Sequence, residues 1–361
     1  MNSKERVMTA MNHQEPDKCP VDFWATEEIK DRLKEHWNID SEEEMLQRVG
    51  CDVRIVRGPS YAGQEFKKFP DGSVADLWGV RRIVVEYGKD YYKGSYKEVV
   101  ESPLEKMTSL QEIENYEGWP SADWWDYSKV GEECAQFEGK CIINVGDRLD
   151  RTAQLKPAMY LRGIQQIMED MVFNPAIAEA IFERVAAYFL EYNSRVFPKY
   201  EGKIDIFMMG DDFGMQNQPL MSVEMWRKYF KKNFRKYIDL AHKYGFKVMH
   251  HTCGAVRPLI PDFIDCGLDI LQSLQPMAKG MDLGELKREF GKDLAFQGGV
   301  CIQETLPRGT KEDVRNMVKK LMEAGKPGGG YMICSAHNIQ PDTKLENVLA
   351  LLDAYQEFRD Y

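Results

Sequence analysis

Two histidines and a cysteine lie together in the segment VMHHTCG, residues 248–254. His251 and Cys253 are two residues apart, so an extended backbone places their imidazole and thiol on the same side of the chain. A second pair, Cys334 and His337, lies at and just after the end of the apolar run YMIC, residues 331–334. Zinc binds such mixtures of nitrogen and sulfur, and a catalytic zinc keeps one position for water or substrate. The pattern predicts a zinc site of His251, Cys253 and either His337 or Cys334; the alternative is a reduced cysteine and a hydrogen-bonded histidine without metal.

Adjacent carboxylates follow another apolar run, IDIFMMG, at Asp211 and Asp212. They are the candidates for a general base, a partner of a cation, a carboxylate that orients a histidine ligand, or the cap of a helix that begins near Ser222. Nine residues separate Asp212 from Ser222, and this spacing favours a loop that faces the substrate. We therefore take Asp211 and Asp212 as catalytic candidates, with a structural turn as the alternative.

Four more polar residues stand in or beside predicted strands. Gln275, Gln297 and Asn338 are assigned to cofactor binding, and Tyr331 is expected to line the pocket as a catalytic candidate. The glycine runs at 298–299 and 328–330 match neither a phosphate-binding loop nor a dinucleotide fingerprint, so no nucleotide is assigned to them.

Short apolar segments that alternate with helical ones must position these residues. Helix signals are clear in the second half, including one long helix from Ser222 to Gly245. Repeated strand, helix, strand order indicates a parallel sheet, and eight strands favour a closed (β/α)8 TIM-type barrel over an open, doubly wound sheet. The candidate strands are residues 19–24, 51–56, 140–146, 204–210, 246–251, 268–273, 294–299 and 331–335.

One barrel is predicted to occupy the whole chain, residues 1–361, with an N-terminal helix capped by Ser3 and ended by Pro16. Residues 58–130 break the alternation, because FPDGSVADLWGVRRIVVEYG indicates β-hairpins around Asp71 and Gly72. We interpret this stretch as an insertion after the second strand that caps the barrel mouth.

Composition limits the partners. The chain is 43% hydrophobic and 29% charged, which is typical of a globular protein with a large core. A net charge of −10 disfavours nucleic acid and anionic membranes as partners. The first residues are too polar for a secretory signal and no apolar stretch is long enough to cross a bilayer, so a cytoplasmic location is expected. Most of the eight cysteines are expected to be reduced and buried.

Three stretches together resemble the uroporphyrinogen decarboxylase superfamily: ERVMTAMNHQEPDKCPVDF, HHTCG and GGGYMICSAHNIQPDTKLENVLAL. Within it, the chain resembles the branch of corrinoid-dependent, methylcobamide:coenzyme M type methyltransferases. The resemblance implies a distorted barrel in which zinc, held by the histidine and cysteine of an HxC motif and a later cysteine, activates a thiol that takes a methyl group from a corrinoid. His251 and Cys253 match the first two ligands, whereas His337 stands in place of the expected cysteine and Cys334 lies three residues earlier.

The hypothesis is a zinc-dependent methyltransferase that moves a methyl group between a small methylated substrate or thiol and a corrinoid (cobalamin). No corrinoid-binding DxHxxG motif is evident in this chain, so the corrinoid is expected on a partner protein. One rival is a metal-free decarboxylase or lyase acting on a tetrapyrrole or small carboxylate, with Asp212 and His337 as acid and base. The other is a barrel that binds a ligand without turnover. The oligomeric state is left open, with a homodimer as one option.

Overall fold

The computed structural model describes residues 1–88, 93–145 and 151–361, and they form an α/β fold around a parallel sheet. The helices are α1 (Ser3–Met11), α2 (Glu27–Trp37), α3 (Glu42–Val49), α4 (Leu110–Glu114), α5 (Leu155–Arg162), α6 (Ile164–Phe173), α7 (Pro175–Tyr200), α8 (Val223–Tyr229), α9 (Lys231–Lys243), α10 (Ile260–Asp265), α11 (Leu283–Phe290), α12 (Thr305–Arg308), α13 (Lys311–Gly325) and α14 (Leu345–Phe358). Short 3₁₀ helices lie at Ala122–Trp124, Glu133–Phe137 and Arg257–Leu259.

The strands form one large sheet and two small ones. The strands are β1 (Val53–Val56), β2 (Ser60–Tyr61), β3 (Val74–Ala75), β4 (Arg81–Tyr87), β5 (Gly94–Glu101), β6 (Trp125–Asp126), β7 (Cys141–Val145), β8 (Ile206–Gly210), β9 (Lys247–His251), β10 (Ile270–Leu274), β11 (Ala295–Val300) and β12 (Tyr331–Ser335). Within the described residues the large sheet has seven parallel strands in the order β1-β7-β8-β9-β10-β11-β12, which is chain order, as in a TIM-like barrel.

Burial on both faces explains the apolar runs in the sequence. Every residue of β7, β8, β10, β11 and β12 is buried, since helices cover the outside and side chains fill the inside. The strands predicted from these runs, from the second onward, are found within about two residues of their predicted ends. Gly146, predicted to end the third strand, lies outside the described residues.

Residues 20–22 connect the two edges of the large sheet. The N–H of Asp22 donates to the carbonyl of Ile333 in β12, and the N–H of Asp52 beside β1 donates to the carbonyl of Val21. The strand predicted over 19–24 is therefore only a β-bridge between Val21 and Ile333. Pro20 has no N–H to donate, which prevents a longer ladder at this position.

The insertion contains antiparallel strands, as its turn residues predict. β3 pairs with β4 and β4 with β5, while β2 pairs with β6. Lys68 and Val74 form an antiparallel bridge across the predicted turn at Asp71 and Gly72. Residues 89–92 of the insertion lie outside the described residues.

Two helix predictions need correction. Asn2, not Ser3, caps α1, because its side chain accepts the N–H of Glu5 while the Glu5 carboxylate accepts the N–H of Asn2. The long helix predicted from Ser222 is two helices, α8 and α9, that meet at Phe230, where φ is −116°. Along the described residues, no helix is both long and apolar enough to span a membrane.

The buried carboxylate of Asp52 holds residues 20–22 in place between the two edges of the large sheet. Asp52 accepts hydrogen bonds from the N–H of Val21, the hydroxyl of Ser3, and the guanidinium groups of Arg6 and Arg359. Both Asp52 and Arg359 are buried, so these bonds join α1, residues 20–22 and the last residues of the chain in one network.

We expect Asp52→Ala to lower the free energy of unfolding by about 3–5 kcal/mol, because it leaves buried guanidinium charge without a partner. Asp17→Ala is the control, since Asp17 pairs with Arg6 at the surface and should cost less than about 1 kcal/mol. Denaturant unfolding measures both. Equal losses in the two variants would contradict this account of how the sheet edges are held.

Candidate metal centre

The two adjacent histidines of β9 face opposite sides of the sheet, as successive strand residues must. His250 packs among Phe213, Phe234 and Phe263, and burial lowers its pKa to about 3. Neither of its ring nitrogens has a hydrogen-bond partner among the described residues. His250 is therefore a core residue, and His251 is the histidine that turns toward the barrel interior.

His251, Cys253 and His337 come together at the carboxyl ends of β9 and β12. Their ligand atoms all lie within 4.8 Å of one another. The Sγ of Cys253 is 3.5 Å from Nε2 of His251, and the rings of His251 and His337 are 5.6 Å apart between centroids. The structure thus joins three of the four predicted ligands.

Cys334, the fourth, is not part of this cluster. Its side chain is completely buried and its Sγ lies 3.9 Å from the hydroxyl of Ser335. Burial raises the pKa of this thiol well above its usual value. Of the two alternatives for the third ligand, the structure places His337 beside His251 and Cys253.

The donor atoms fit zinc chemically. Nδ1 of His251 donates to the side-chain oxygen of Gln272, so Nε2 carries a free lone pair and faces Cys253. Burial lowers the pKa of His251 to about 3, which keeps the imidazole neutral and able to coordinate. Burial, followed by the charge of Asp212, raises the pKa of Cys253 to about 12, so this thiol becomes a thiolate only beside a cation.

His337 is held differently. Its Nδ1 accepts the N–H of Asn338 at 2.8 Å, so the proton of the neutral ring lies on Nε2. Coordination through Nε2 would exchange this hydrogen bond for a metal bond. If a metal binds here, we therefore expect His337 to hold it more weakly than His251.

Backbone geometry brings the HTCG loop close to the loop after β8. Gly254 has φ +85°, and a Cβ at this position would lie 2.4 Å from the carbonyl carbon of Gly214. Only glycine fits, since a side chain would collide with this backbone. The side chain of Gln275 accepts the N–H of Gly254 at 2.7 Å and so supports the loop that carries Cys253.

The two predicted aspartates have different surroundings. Both oxygens of Asp211 accept backbone N–H groups, those of Gln154, Leu155 and Lys156 at the start of α5. Burial raises the pKa of Asp211 to about 6, although these three donors oppose the shift. Asp211 thus caps α5, not the helix near Ser222, which Ser222 caps itself.

Asp212 contacts the cluster directly. Its Oδ1 accepts the N–H of Cys253 at 3.1 Å and lies 3.6 Å from Nε2 of His251, while Lys156 donates to Oδ2. Burial favours the neutral acid, but the ammonium group of Lys156 and the Cys253 N–H outweigh it and lower the pKa of Asp212 below its usual range. Asp212 is therefore an anion beside the cluster.

A cavity of about 450 Å³ opens beside these residues. Its aromatic and charged walls include side chains that the sequence analysis did not predict. Trp24 could have been predicted, because it ends the first predicted strand, residues 19–24. The lining includes Trp24, Trp78, Arg151, Lys156, Tyr160, Asp211, Asp212, His251, His337 and Asn338. Trp78 comes from the insertion, so this segment contributes to the cavity wall.

Tyr331, Gln275 and Gln297 are not among the lining residues. Tyr331 begins β12 at the amino end, away from the mouth, where it is completely buried and its hydroxyl donates to the carbonyl of Gly298. The expectation that Tyr331 lines the pocket is therefore wrong, because active groups collect at the other end of the strands. Gln297 is also completely buried and donates to Asp22. Of the three residues assigned to cofactor binding, only Asn338 lines the cavity.

Fold and cluster together define a TIM-like barrel whose His–Cys–His donor set lies at the carboxyl-terminal end of the sheet. The family model "Uroporphyrinogen decarboxylase (URO-D)" matches residues 152–358. This match covers more than half of the chain, so the chain belongs to the URO-D family. The resemblance inferred from the sequence motifs is confirmed.

Two kinds of curated relative match at the same identity. The methylcobamide:CoM methyltransferase MtaA of Methanosarcina barkeri is 25% identical over 158 residues, which cover 44% of this chain and 43% of the relative. A uroporphyrinogen decarboxylase of Coxiella burnetii is 25% identical over 161 residues, covering 43% of this chain and 41% of the relative. The matched stretch thus spans less than half the length of these relatives.

A solved methyltransferase from Methanosarcina mazei has the same fold. Its TM-score is 0.65 at 19% sequence identity, and the alignment covers 99% of both chains. At this identity the comparison shows the fold, which extends along nearly the whole chain and agrees with the TIM-like arrangement of the strands.

We expect Asp211→Ala to destabilise the protein by about 2 kcal/mol, the upper end for loss of a helix cap, because three backbone donors lose their acceptor together. Asp282→Ala is the matched control, since Asp282 is an exposed cap that accepts one N–H, that of Glu285, and should cost less. Denaturant midpoints compare the two variants. An Asp211→Ala protein as stable as the wild type would exclude the capping role.

Proposed function

We propose that this protein is a zinc-dependent methyltransferase that moves a methyl group between a small methylated substrate or thiol and a corrinoid carried by a partner protein. The observation that carries the proposal is the convergence of His251, Cys253 and His337, whose ligand atoms lie within 4.8 Å. The MtaA methyltransferase among the relatives supports it.

His251, Cys253 and His337 would hold the zinc. Bound there, zinc would act as a Lewis acid that lowers the pKa of a coordinated thiol or polarises the heteroatom that carries the methyl group. His251 and His337 both line the cavity, so a substrate in the cavity can reach the donor set directly.

The chain's own residues would organise the reaction around this centre. Asp212 accepts the backbone N–H of Cys253 and so fixes the loop that carries this cysteine. The ammonium group of Lys156 donates to the other oxygen of Asp212. Trp24 stacks against His251 with 6.1 Å between ring centroids and 11° between planes, which restricts rotation of the imidazole. These contacts keep the donor atoms in one arrangement before a substrate arrives, which lowers the cost of reaching the reactive geometry.

The cavity suits a small substrate. Its volume of about 450 Å³ lies in the range of small-molecule sites, and Trp24, Trp78 and Tyr160 supply apolar surface. A corrinoid is larger than the small molecules that a cavity of this volume can enclose. We therefore propose that the corrinoid stays on its partner protein and approaches the open side of the cavity.

A metal-free decarboxylase or lyase is the second candidate, because a uroporphyrinogen decarboxylase matches at the same 25% identity. In this alternative Asp212 and His337 act as acid and base. The lowered pKa of Asp212 makes it a poor proton donor near neutral pH, so in this alternative Asp212 would be the base and His337 the acid. The convergence of His251, Cys253 and His337 favours the zinc proposal. Metal analysis of protein purified without chelators separates the two candidates.

We expect Cys253→Ala to weaken zinc binding by more than about 100-fold, beyond the loss typical of residues that only orient a ligand, because a charged sulfur donor is removed. Transfer from methylcobalamin to a small thiol should be lost with the zinc. Cys266→Ala is the control, since the thiol of Cys266 is also reduced but lies outside the cluster, next to the carbonyl of Lys231. Undiminished zinc and transfer in Cys253→Ala would overturn the proposal.

The third ligand is tested separately. His337→Ala should weaken zinc binding, whereas Cys334→Ala should keep the zinc and lose only some packing, because Cys334 lies outside the cluster. Competition with a chromophoric chelator measures zinc affinity in both variants. Zinc loss in Cys334→Ala with unchanged binding in His337→Ala would reverse the assignment.

A further inference from the structure

Three polar side chains form a row across neighbouring strands inside the barrel. In the sheet register His251 of β9 lies opposite Gln272 of β10, and Gln272 lies opposite Gln297 of β11. Residues paired in this way point to the same face of the sheet. All three are buried, so each of their polar atoms needs a partner within the protein.

The row ends at a buried carboxylate. The amide nitrogen of Gln297 donates to Oδ2 of Asp22 at 2.5 Å, and the indole N–H of Trp24 donates to the same oxygen at 2.9 Å. The backbone N–H of Phe23 donates to the other oxygen, Oδ1. Asp22 accepts every one of these bonds, which fixes the direction of the Gln297 amide.

The middle of the row contains one donor and one acceptor without other partners. In the described part of the chain, neither the amide nitrogen of Gln272 nor the amide oxygen of Gln297 has a hydrogen-bond partner. The register places these two side chains next to each other. This donor and this acceptor are complementary, so a direct hydrogen bond between them would join the two halves of the row.

We propose that Asp22, Gln297 and Gln272 form a hydrogen-bond chain that fixes the tautomer of His251. Gln297 donates its nitrogen to Asp22, so its oxygen is on the side of Gln272. Gln272 then turns its nitrogen to Gln297 and its oxygen to Nδ1 of His251. The proton is held on Nδ1, and Nε2 stays free beside Cys253.

Asp22 also acts on the ring through a second path. Its bond to the indole N–H positions Trp24, whose ring stacks on that of His251. The Asp22 carboxylate thus acts on the imidazole of His251 in two ways. It acts on the Nδ1 edge through the amides of Gln297 and Gln272, and on the ring face through the indole of Trp24. Asp22, Gln272 and Gln297 are positioning residues, because they act on the donor atom through His251.

Asp22→Asn tests the chain. The new NH₂ group would replace either Oδ1, where it faces the backbone N–H of Phe23, or Oδ2, where it faces the indole N–H of Trp24 and the amide of Gln297. Of these three donors, only the Gln297 amide can present an oxygen instead. Gln297 and then Gln272 should therefore turn around and present a nitrogen to Nδ1 of His251. The proton should move to Nε2, where it blocks the lone pair.

The measurement is two-bond ¹H–¹⁵N correlation NMR of the histidines in zinc-free protein near neutral pH, with His251 assigned from its absence in His251→Asn. The wild type should show Nδ1 protonated and Nε2 bare, and Asp22→Asn should show the reverse. Asp205→Asn is the matched control, since Asp205 is also buried and accepts a backbone N–H, that of Ile142, but lies outside the chain. It should keep the wild-type tautomer.

A double variant separates the chain from simple packing. In Asp22→Asn/Gln272→Glu a carboxylate that only accepts lies next to Nδ1, so the wild-type tautomer should return. A packing defect at Asp22 would not be repaired in this way. If Asp22→Asn does not fold, Gln297→Met interrupts the same chain with a side chain of similar length and should leave His251 with a mixture of tautomers.

The link to zinc rests on the proposed function. If zinc binds here, Asp22→Asn should weaken it by about 10- to 100-fold, the usual effect of losing a group that orients a ligand. A protein that binds no zinc but changes tautomer as described would refute the metal proposal and keep the chain. An unchanged tautomer in folded Asp22→Asn, or in Gln297→Met, would refute the chain whatever the zinc result.

Discussion

The hydrogen bond from Nδ1 of His251 to Gln272 decides what the rest of the site can do. A neutral imidazole has one protonated and one bare nitrogen, and only the bare nitrogen can bind a metal. Because Gln272 takes the proton-bearing side, the free lone pair of Nε2 faces the sulfur of Cys253. If this nitrogen were protonated, its N–H would face the anionic Asp212 instead, and it could not bind a metal together with Cys253 and His337.

The parallel sheet makes this bond available. His251 and Gln272 are neighbours because β9 and β10 are in parallel register, and both lie where carboxyl ends of strands meet. The loops after these strands are then fixed by specific contacts. Gly254 allows close approach to Gly214, and Gln275 accepts the N–H that follows Cys253. Such contacts hold the donor atoms at rigid strand ends, where their positions are fixed more precisely than they would be on long loops.

Sequence reasoning found most of the strands and the residues of the His251–Cys253–His337 cluster, but not the hydrogen bonds that orient them. The apolar runs located most of the sheet because strands buried on both faces must be apolar. The HxC spacing located His251 and Cys253, since both follow from local geometry. Asp211 was assigned to the site, yet it caps a helix that lies more than 50 residues earlier in the chain, at Gln154–Lys156. Register and long-range capping depend on tertiary packing, so no local pattern could have identified Asp22 or Gln272 as partners.

X-ray absorption spectroscopy of the zinc-loaded protein tests the central claim most directly. The account predicts one sulfur at about 2.3 Å and two imidazole nitrogens at about 2.0–2.1 Å, with a remaining position for a light atom from water or substrate. A zinc environment without sulfur, or a protein that takes up no stoichiometric zinc, would contradict it.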